Sequence, residues 1–133
     1  MKANITEYLR INLDTDMWEC RRCDSPLIAA AENYKRGLLI HDRDPREVHP
    51  PLLDTELYDY SFSPDPAYTA LLEYYCPHCG TMVETEYTAP GHPPVRDIEL
   101  DLESLRDKVR QWGDTSETPD IPETDLPRHV HRH

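Results

Sequence analysis

Glycine is scarce in this chain, at 4 of 133 residues, and phenylalanine occurs once. With so few glycines there is no phosphate-cradling loop of the G-x-x-x-x-G-K-[ST] kind, and autonomous nucleotide binding is not expected. No apolar run approaches the roughly 18 residues of a membrane-spanning helix, and the opening MKANITEYLRINLD lacks the continuous apolar stretch of a secretory leader. Positive charge is also short, since 14 lysines and arginines against 26 acids give a formal charge of −12. Nucleic acid and anionic membranes are therefore not expected partners, because both are gripped by basic side chains that neutralise phosphates. The expected setting is the cytoplasm. Large aliphatics are few as well: Leu, Ile, Val and Phe together number 26 of 133. That lies near the one-fifth mark below which a highly charged chain is expected to stay disordered. Something besides hydrophobic burial must help this chain fold.

What the chain does have is proline, 13 residues of it, which makes its irregular segments stiff and extended. The length fits one domain, placed at residues 1–113, followed by an acidic, proline-rich tail over 114–133 that is disordered or bound to a partner. Over residues 7–20, Leu9, Ile11 and Leu13 alternate with polar neighbours before an Asp-Thr-Asp turn, and Met17 and Trp18 lead into Cys20. This predicts a hairpin, with a helix starting at Asn4 as the competing reading. Further strands are expected at Leu38 to Ile40 after Gly37, weakly at residues 57–62, at Leu71 to Tyr75 and at Thr81 to Tyr87. Pro45, Pro50 and Pro51 are expected to end regular structure. One helix is predicted near the end, with Leu102, Leu105, Val109 and Trp112 on one face, Asp101 as its cap and Gly113 as its stop. The expected fold is a small, mainly-β, zinc-ribbon-like domain with one C-terminal helix and long proline-rich extensions.

The four cysteines fall into two pairs, Cys20-Arg21-Arg22-Cys23 and Cys76-Pro77-His78-Cys79. A C-x-x-C pair serves either thiol-disulfide exchange or metal binding. The redox reading needs Cys76 and Cys79 at the start of a helix, whose dipole lowers the thiol pKa. The strand-like, acidic TMVETEYT that follows Cys79 argues against it. Zinc takes four sulfur or imidazole ligands in a tetrahedron, and two C-x-x-C turns supply all four. The 52 residues between Cys23 and Cys76 exceed the roughly 15 to 20 of common ribbons. Each doubling of a loop, however, costs only about 0.6 kcal/mol, against about 10 to 16 kcal/mol of apparent zinc binding energy. Zinc held by Cys20, Cys23, Cys76 and Cys79 is the expectation, and it also supplies what the thin core lacks. Iron of the rubredoxin kind uses the same ligand pattern and stays open. A site with four sulfurs has no vacant position, so a structural role follows and no catalytic residue is assigned.

Other candidates have plainer readings. His78 lies inside the second turn and could replace a cysteine as ligand, but Cys76 and Cys79 are better placed; His41 and His49 are read as solvated or partner-facing, while His129, His131 and His133 alternate in the tail and could pick up metal adventitiously. Arg21, Arg22, Lys35, Arg36, Arg43 and Arg46 are read as ordinary surface charge rather than a binding patch. Trp18, Tyr58, Tyr60, Tyr74 and Tyr75 are candidates for core or interface packing.

Taken in order, W-E-C-x-x-C, ENYKRGLLIHDRDPREVHPPL, EYYCPHCGTMVETE and PPVRDIELD with the helix that follows give a more specific likeness. From about Glu7 to Trp112 the chain resembles the small zinc-binding subunit of the acetone carboxylase and acetophenone carboxylase family. The Tyr-Cys-Pro-x-Cys-Gly-Thr turn, Arg43-Asp44-Pro45 and Arg96-Asp97 carry most of it. The resemblance implies a non-catalytic subunit of a hetero-oligomeric, ATP-dependent ketone carboxylase. ATP and bicarbonate would bind only on large partner subunits, and this chain would carry structural zinc on its four cysteines. Two rivals remain beside it: a free-standing zinc-ribbon adaptor between proteins, and a thiol-disulfide oxidoreductase using Cys76 and Cys79.

Overall fold

The computed structural model describes residues 1–51, 54 and 56–113. Strands β1 (Lys2–Asn4), β2 (Leu9–Asn12), β3 (Met17–Cys20) and β4 (Pro26–Ala29) form one antiparallel sheet in chain order. Strands β5 (Leu39–Arg43), β6 (Ala70–Tyr75) and β7 (Met82–Thr88) form a second. A 3-10 turn at Tyr34–Gly37 joins the sheets, helix α1 (Pro45–Val48) follows β5, and helix α2 (Leu102–Trp112) is the last element among the described residues. The architecture is mainly β with one longer helix near the end, as the patterning predicts.

The expected hairpin forms. Leu9 faces Cys20 and Ile11 faces Trp18 across β2 and β3, and Leu9, Ile11 and Trp18 are all at most 1% exposed. Asn12 closes the turn by accepting hydrogen bonds from the Asp14 and Thr15 amides at 3.0 and 3.3 Å. The competing helix at Asn4 does not form, because Asn4 ends β1 and pairs with Arg10. Strands β6 and β7 fall where β-branched and aromatic residues cluster, and β5 overlaps the strand expected after Gly37. Strands β1 and β4, three and four residues long, are too short to show a period.

Three expectations are corrected. The strand expected over residues 57–62 is absent: the Asp54 carbonyl accepts the Leu57 and Tyr58 amides at 3.1 and 3.0 Å, so the chain turns there. Pro45 opens α1 rather than ending regular structure. Asp44 caps that helix by accepting the Arg46 amide at 2.9 Å, and a proline suits a first turn whose amides have no partner. Trp112 leaves the buried face of α2 and is 71% exposed, while Val109 is buried and Leu102 and Leu105 are half-buried. Asp101 caps this helix as expected, accepting the Ser104 amide at 3.2 Å. Gly113, at φ +87°, ends it by donating to the Val109 carbonyl at 2.8 Å.

A single apolar cluster runs through both sheets and α2, with Trp18, Tyr34 and Tyr74 as its largest rings. Trp18 and Tyr34 pack at 5.5 Å between centroids. Cys20 and Cys76 are part of this cluster, at 0% and 1% exposure. The cysteine turns therefore lie at the ends of core strands, one on each sheet.

Candidate metal centre

The two C-x-x-C turns share one backbone design. In the first, the Cys20 amide donates to the Ser25 carbonyl at 3.0 Å, and the Asp24 amide returns to the Cys20 carbonyl at 2.9 Å. In the second, the Cys76 amide donates to the Thr81 carbonyl and the Gly80 amide to the Cys76 carbonyl, both at 2.9 Å. Cys20, Asp24 and Ser25 thus correspond to Cys76, Gly80 and Thr81. The residue after each second cysteine has a positive φ, +62° at Asp24 and +76° at Gly80. This left-handed residue reverses the chain so that both sulfurs of a pair face inward, and glycine or aspartate tolerates it best. Each turn links neighbouring antiparallel strands, β3 to β4 and β6 to β7.

Across the turns the sulfurs meet. Cys20 Sγ lies 3.8 Å from Cys79 Sγ, and Cys23 Sγ lies 3.7 Å from Cys76 Sγ. All four lie within 4.8 Å of one another. A tetrahedron with metal–sulfur bonds of about 2.3 Å has edges of about 3.8 Å. A disulfide would bring two sulfurs to about 2.05 Å, and all four cysteines are free. Spacing and donor set both fit one tetrahedral cation. The second sulfur pair is brought to the first through the packing of two separate sheets, which explains how a long intervening segment still builds one site.

The four thiols sit in unequal surroundings. Burial pushes the Cys20 thiol up to about 12 and raises Cys76 as well. The Ser25 hydroxyl lowers Cys23, and the Thr81 hydroxyl, 3.1 Å away, pulls Cys79 down to about 6. A divalent cation would hold all four as thiolates and offset the cost of burying charge at Cys20 and Cys76. No helix begins at either pair; Cys79 leads into β7. The helix dipole that a dithiol oxidoreductase relies on is therefore missing at both turns.

Among the described residues, this is the one cluster of three or more metal-ligating side chains. His78 lies exposed in the second turn and outside the cluster. His41 is exposed, and His49 shares a 2.6 Å hydrogen bond with the Tyr87 hydroxyl. His129, His131 and His133, with the tail 114–133, lie outside the described residues.

The basic residues are largely absorbed by ion pairs. Arg43 bonds Glu73 and Glu47, each at 2.8 Å, and Arg46 bonds Asp44 at 2.7 Å. Arg10, opposite Glu19 in the hairpin, bonds that carboxylate at 2.8 Å and reaches Asp24 beside the first turn, also at 2.8 Å. Lys35 corrects the surface reading, being 2% exposed. Its ammonium meets Glu86 at 2.9 Å and Asp97 at 3.7 Å, and lies 5.3 and 5.9 Å from the Tyr74 and Tyr34 ring centres. Tyr74 and Tyr34 donate in turn to Glu86 and Asp97 at 2.7 and 3.1 Å. Burial, then the facing carboxylates, raise both phenols. No sequence period marks a lysine as buried; only the excess of aromatic and acidic residues around it hints at the role.

Of the aromatic candidates, Trp18 and Tyr74 are core, and Tyr75 is half-buried with its hydroxyl on Glu73 at 2.9 Å. Tyr58 and Tyr60 are exposed.

Comparison with known proteins agrees with the residue pattern. The chain is 43% identical over 110 residues to the acetophenone carboxylase beta subunit of Aromatoleum aromaticum, covering 83% of each chain. It is 30% identical over 97 residues to the acetone carboxylase gamma subunit of Xanthobacter autotrophicus, covering 71% of this chain and 52% of that one. Residues 3–110 match the family model described as acetone carboxylase gamma subunit, and the chain belongs to that family.

Proposed function

We propose that this chain is a non-catalytic, zinc-binding subunit of a hetero-oligomeric, ATP-dependent ketone carboxylase. The carrying observation is the closed set of four sulfurs, whose mutual distances match a metal tetrahedron and leave no position for substrate. Cys20, Cys23, Cys76 and Cys79 are the ligands, in a zinc-ribbon-like arrangement within a unit spanning residues 1–113. Zinc ties the two sheets together where the apolar core is thin, which is an architectural role. ATP and bicarbonate bind on large partner subunits, and the protein works in the cytoplasm. Membership of the family supports the assignment to a carboxylase. Among the described residues, no helix is long and apolar enough to cross a membrane.

The test is isolation of the chain from its native host with its bound partners. One zinc per chain by elemental analysis and co-purifying carboxylase subunits are expected. Cys76→Ser should release the metal and leave the chain unfolded or insoluble. A complex that assembles and carboxylates normally with Cys76→Ser, and with no metal on this chain, overturns the structural role.

A further inference from the structure

The chain has one phenylalanine and leaves it 76% exposed. Phe62 stands in a row: its ring lies edge-on to Tyr60 at 5.7 Å, and Tyr60 lies edge-on to Tyr58 at 6.3 Å. Tyr60 and Tyr58 are 60% and 47% exposed. At about 200 Å² per ring residue, the row presents on the order of 350 Å² of aromatic surface. That is close to half of the roughly 800 Å² one partner contributes to a standard interface. A protein short of large apolar residues leaves these three rings outside its buried core cluster.

The row is held in place. Ser63 Oγ donates to the His49 carbonyl at 2.5 Å, and the Ser63 amide donates to Ser61 Oγ at 3.0 Å. The Asp54 carbonyl fixes the turn before it, and the Asp65 carbonyl accepts the Tyr68 and Thr69 amides at 3.0 and 2.9 Å after it. Pro64 and Pro66 stiffen the exit. A segment ordered before docking loses less entropy on binding.

Charge selects the occupant. In sequence, Asp54, Glu56, Asp59 and Asp65 flank the rings and no lysine or arginine occurs between Arg46 and Arg96; Arg46 lines a hollow beside Ser61 and Ser63, but its charge is already matched by Asp44 at 2.7 Å. A second copy would bring the same acidic segment, and the chain already carries a net charge of −12. The matching surface is an apolar recess rimmed by lysine and arginine. We propose that the row formed by Tyr58, Tyr60 and Phe62 docks this chain onto a large carboxylase subunit bearing such a recess. The proposal rests on the carboxylase-subunit reading above.

The experiment uses the tagged, full-length chain recovered from its native host, with co-purifying large subunits identified by mass spectrometry. The double variant Tyr60→Ser, Phe62→Ser should cut their recovery at least tenfold while zinc content and thermal unfolding stay at wild-type values, because both rings are mostly exposed and neither belongs to the buried cluster or the sulfur site. Asp59→Lys should weaken recovery, and added salt should weaken the wild-type complex. A photo-cross-linking residue at position 62 should label a large subunit near basic residues. Undiminished recovery with the double variant overturns the docking surface and leaves the carboxylase reading standing, as does cross-linking at position 62 only to a second copy. If the wild-type chain recovers no carboxylase subunit, the underlying reading fails and takes the docking surface with it.

Discussion

Replacing Lys35 with methionine keeps the length of the side chain and removes its charge, so it isolates the buried ion pair. Nζ lies 2.9 Å from Glu86, and their side chains are 2% and 9% exposed. Asp97, at 3.7 Å and 40% exposed, is solvated enough to contribute little. Removing one partner of a buried pair costs about 3 to 5 kcal/mol, because the other charge is left uncompensated. Glu86 would still accept hydrogen bonds from the Tyr74 hydroxyl at 2.7 Å and the Val95 amide at 3.1 Å. The lower end, about 3 kcal/mol, is therefore expected for Lys35→Met. Adding Glu86→Gln should return a good part of that, since no buried charge then stands alone. Urea unfolding of the zinc-loaded chain, followed by the fluorescence of buried Trp18, gives both numbers. A loss below about 1 kcal/mol for Lys35→Met, or no recovery in the double variant, would mean that Glu86 does not depend on the lysine.

Three further outcomes are expected. Chelation of the metal should unfold the chain cooperatively, seen as loss of β-sheet circular dichroism together with zinc release; a chain that stays folded after metal removal would show that its core suffices. Gly80→Ala should cost about 1 to 2 kcal/mol, because φ is +76° while a new Cβ meets nothing within 4 Å, so conformation alone carries the penalty; thermal unfolding with zinc saturated reads it. Acid should destabilise the fold through Glu19 and Glu86: burial pushes both carboxyls up, but bonds from Asn12 and Arg10 to the first, and from Tyr74 and Lys35 to the second, hold them below the ordinary 4.5. A depressed native value means that their contribution is complete above about pH 4.5 and is lost as pH falls through the lower folded values. Unfolding free energy that stays flat from pH 6 to pH 3, with zinc release measured alongside, would contradict this.

The cysteine turns were legible because their chemistry is local: four consecutive positions fix two sulfurs, and the residue after them sets the reversal. Gly80 announces its positive φ in the sequence, whereas Asp24 performs the same task at φ +62° without a glycine to mark it. The pairing of the two turns into one site was inferred from ligand chemistry, and it is realised by contact between two sheets that no local pattern encodes. Lys35 and Phe62 show the opposite case. Hydrophobic patterning assumes that charge faces water and rings face inward, and each of these residues reverses that rule for a reason set by distant parts of the chain. Lys35 is buried where Glu86, some fifty residues away in sequence, arrives with Tyr34 and Tyr74 to pair and cover its ammonium. Phe62 is exposed while Trp18, Tyr34 and Tyr74 fill the core, and the segment that carries it is set by the turns at Asp54 and Asp65 rather than by strand pairing. Both exceptions are therefore readable only once the sheets are assembled, and both lie on the part of the chain, from the 3-10 turn to β6, that joins the two sulfur pairs. The long segment between the cysteine turns is accordingly more than a tether: near one end it supplies Lys35, whose ion pair with Glu86 of β7 locks the second sheet to the 3-10 turn, and in its middle it turns three rings outward.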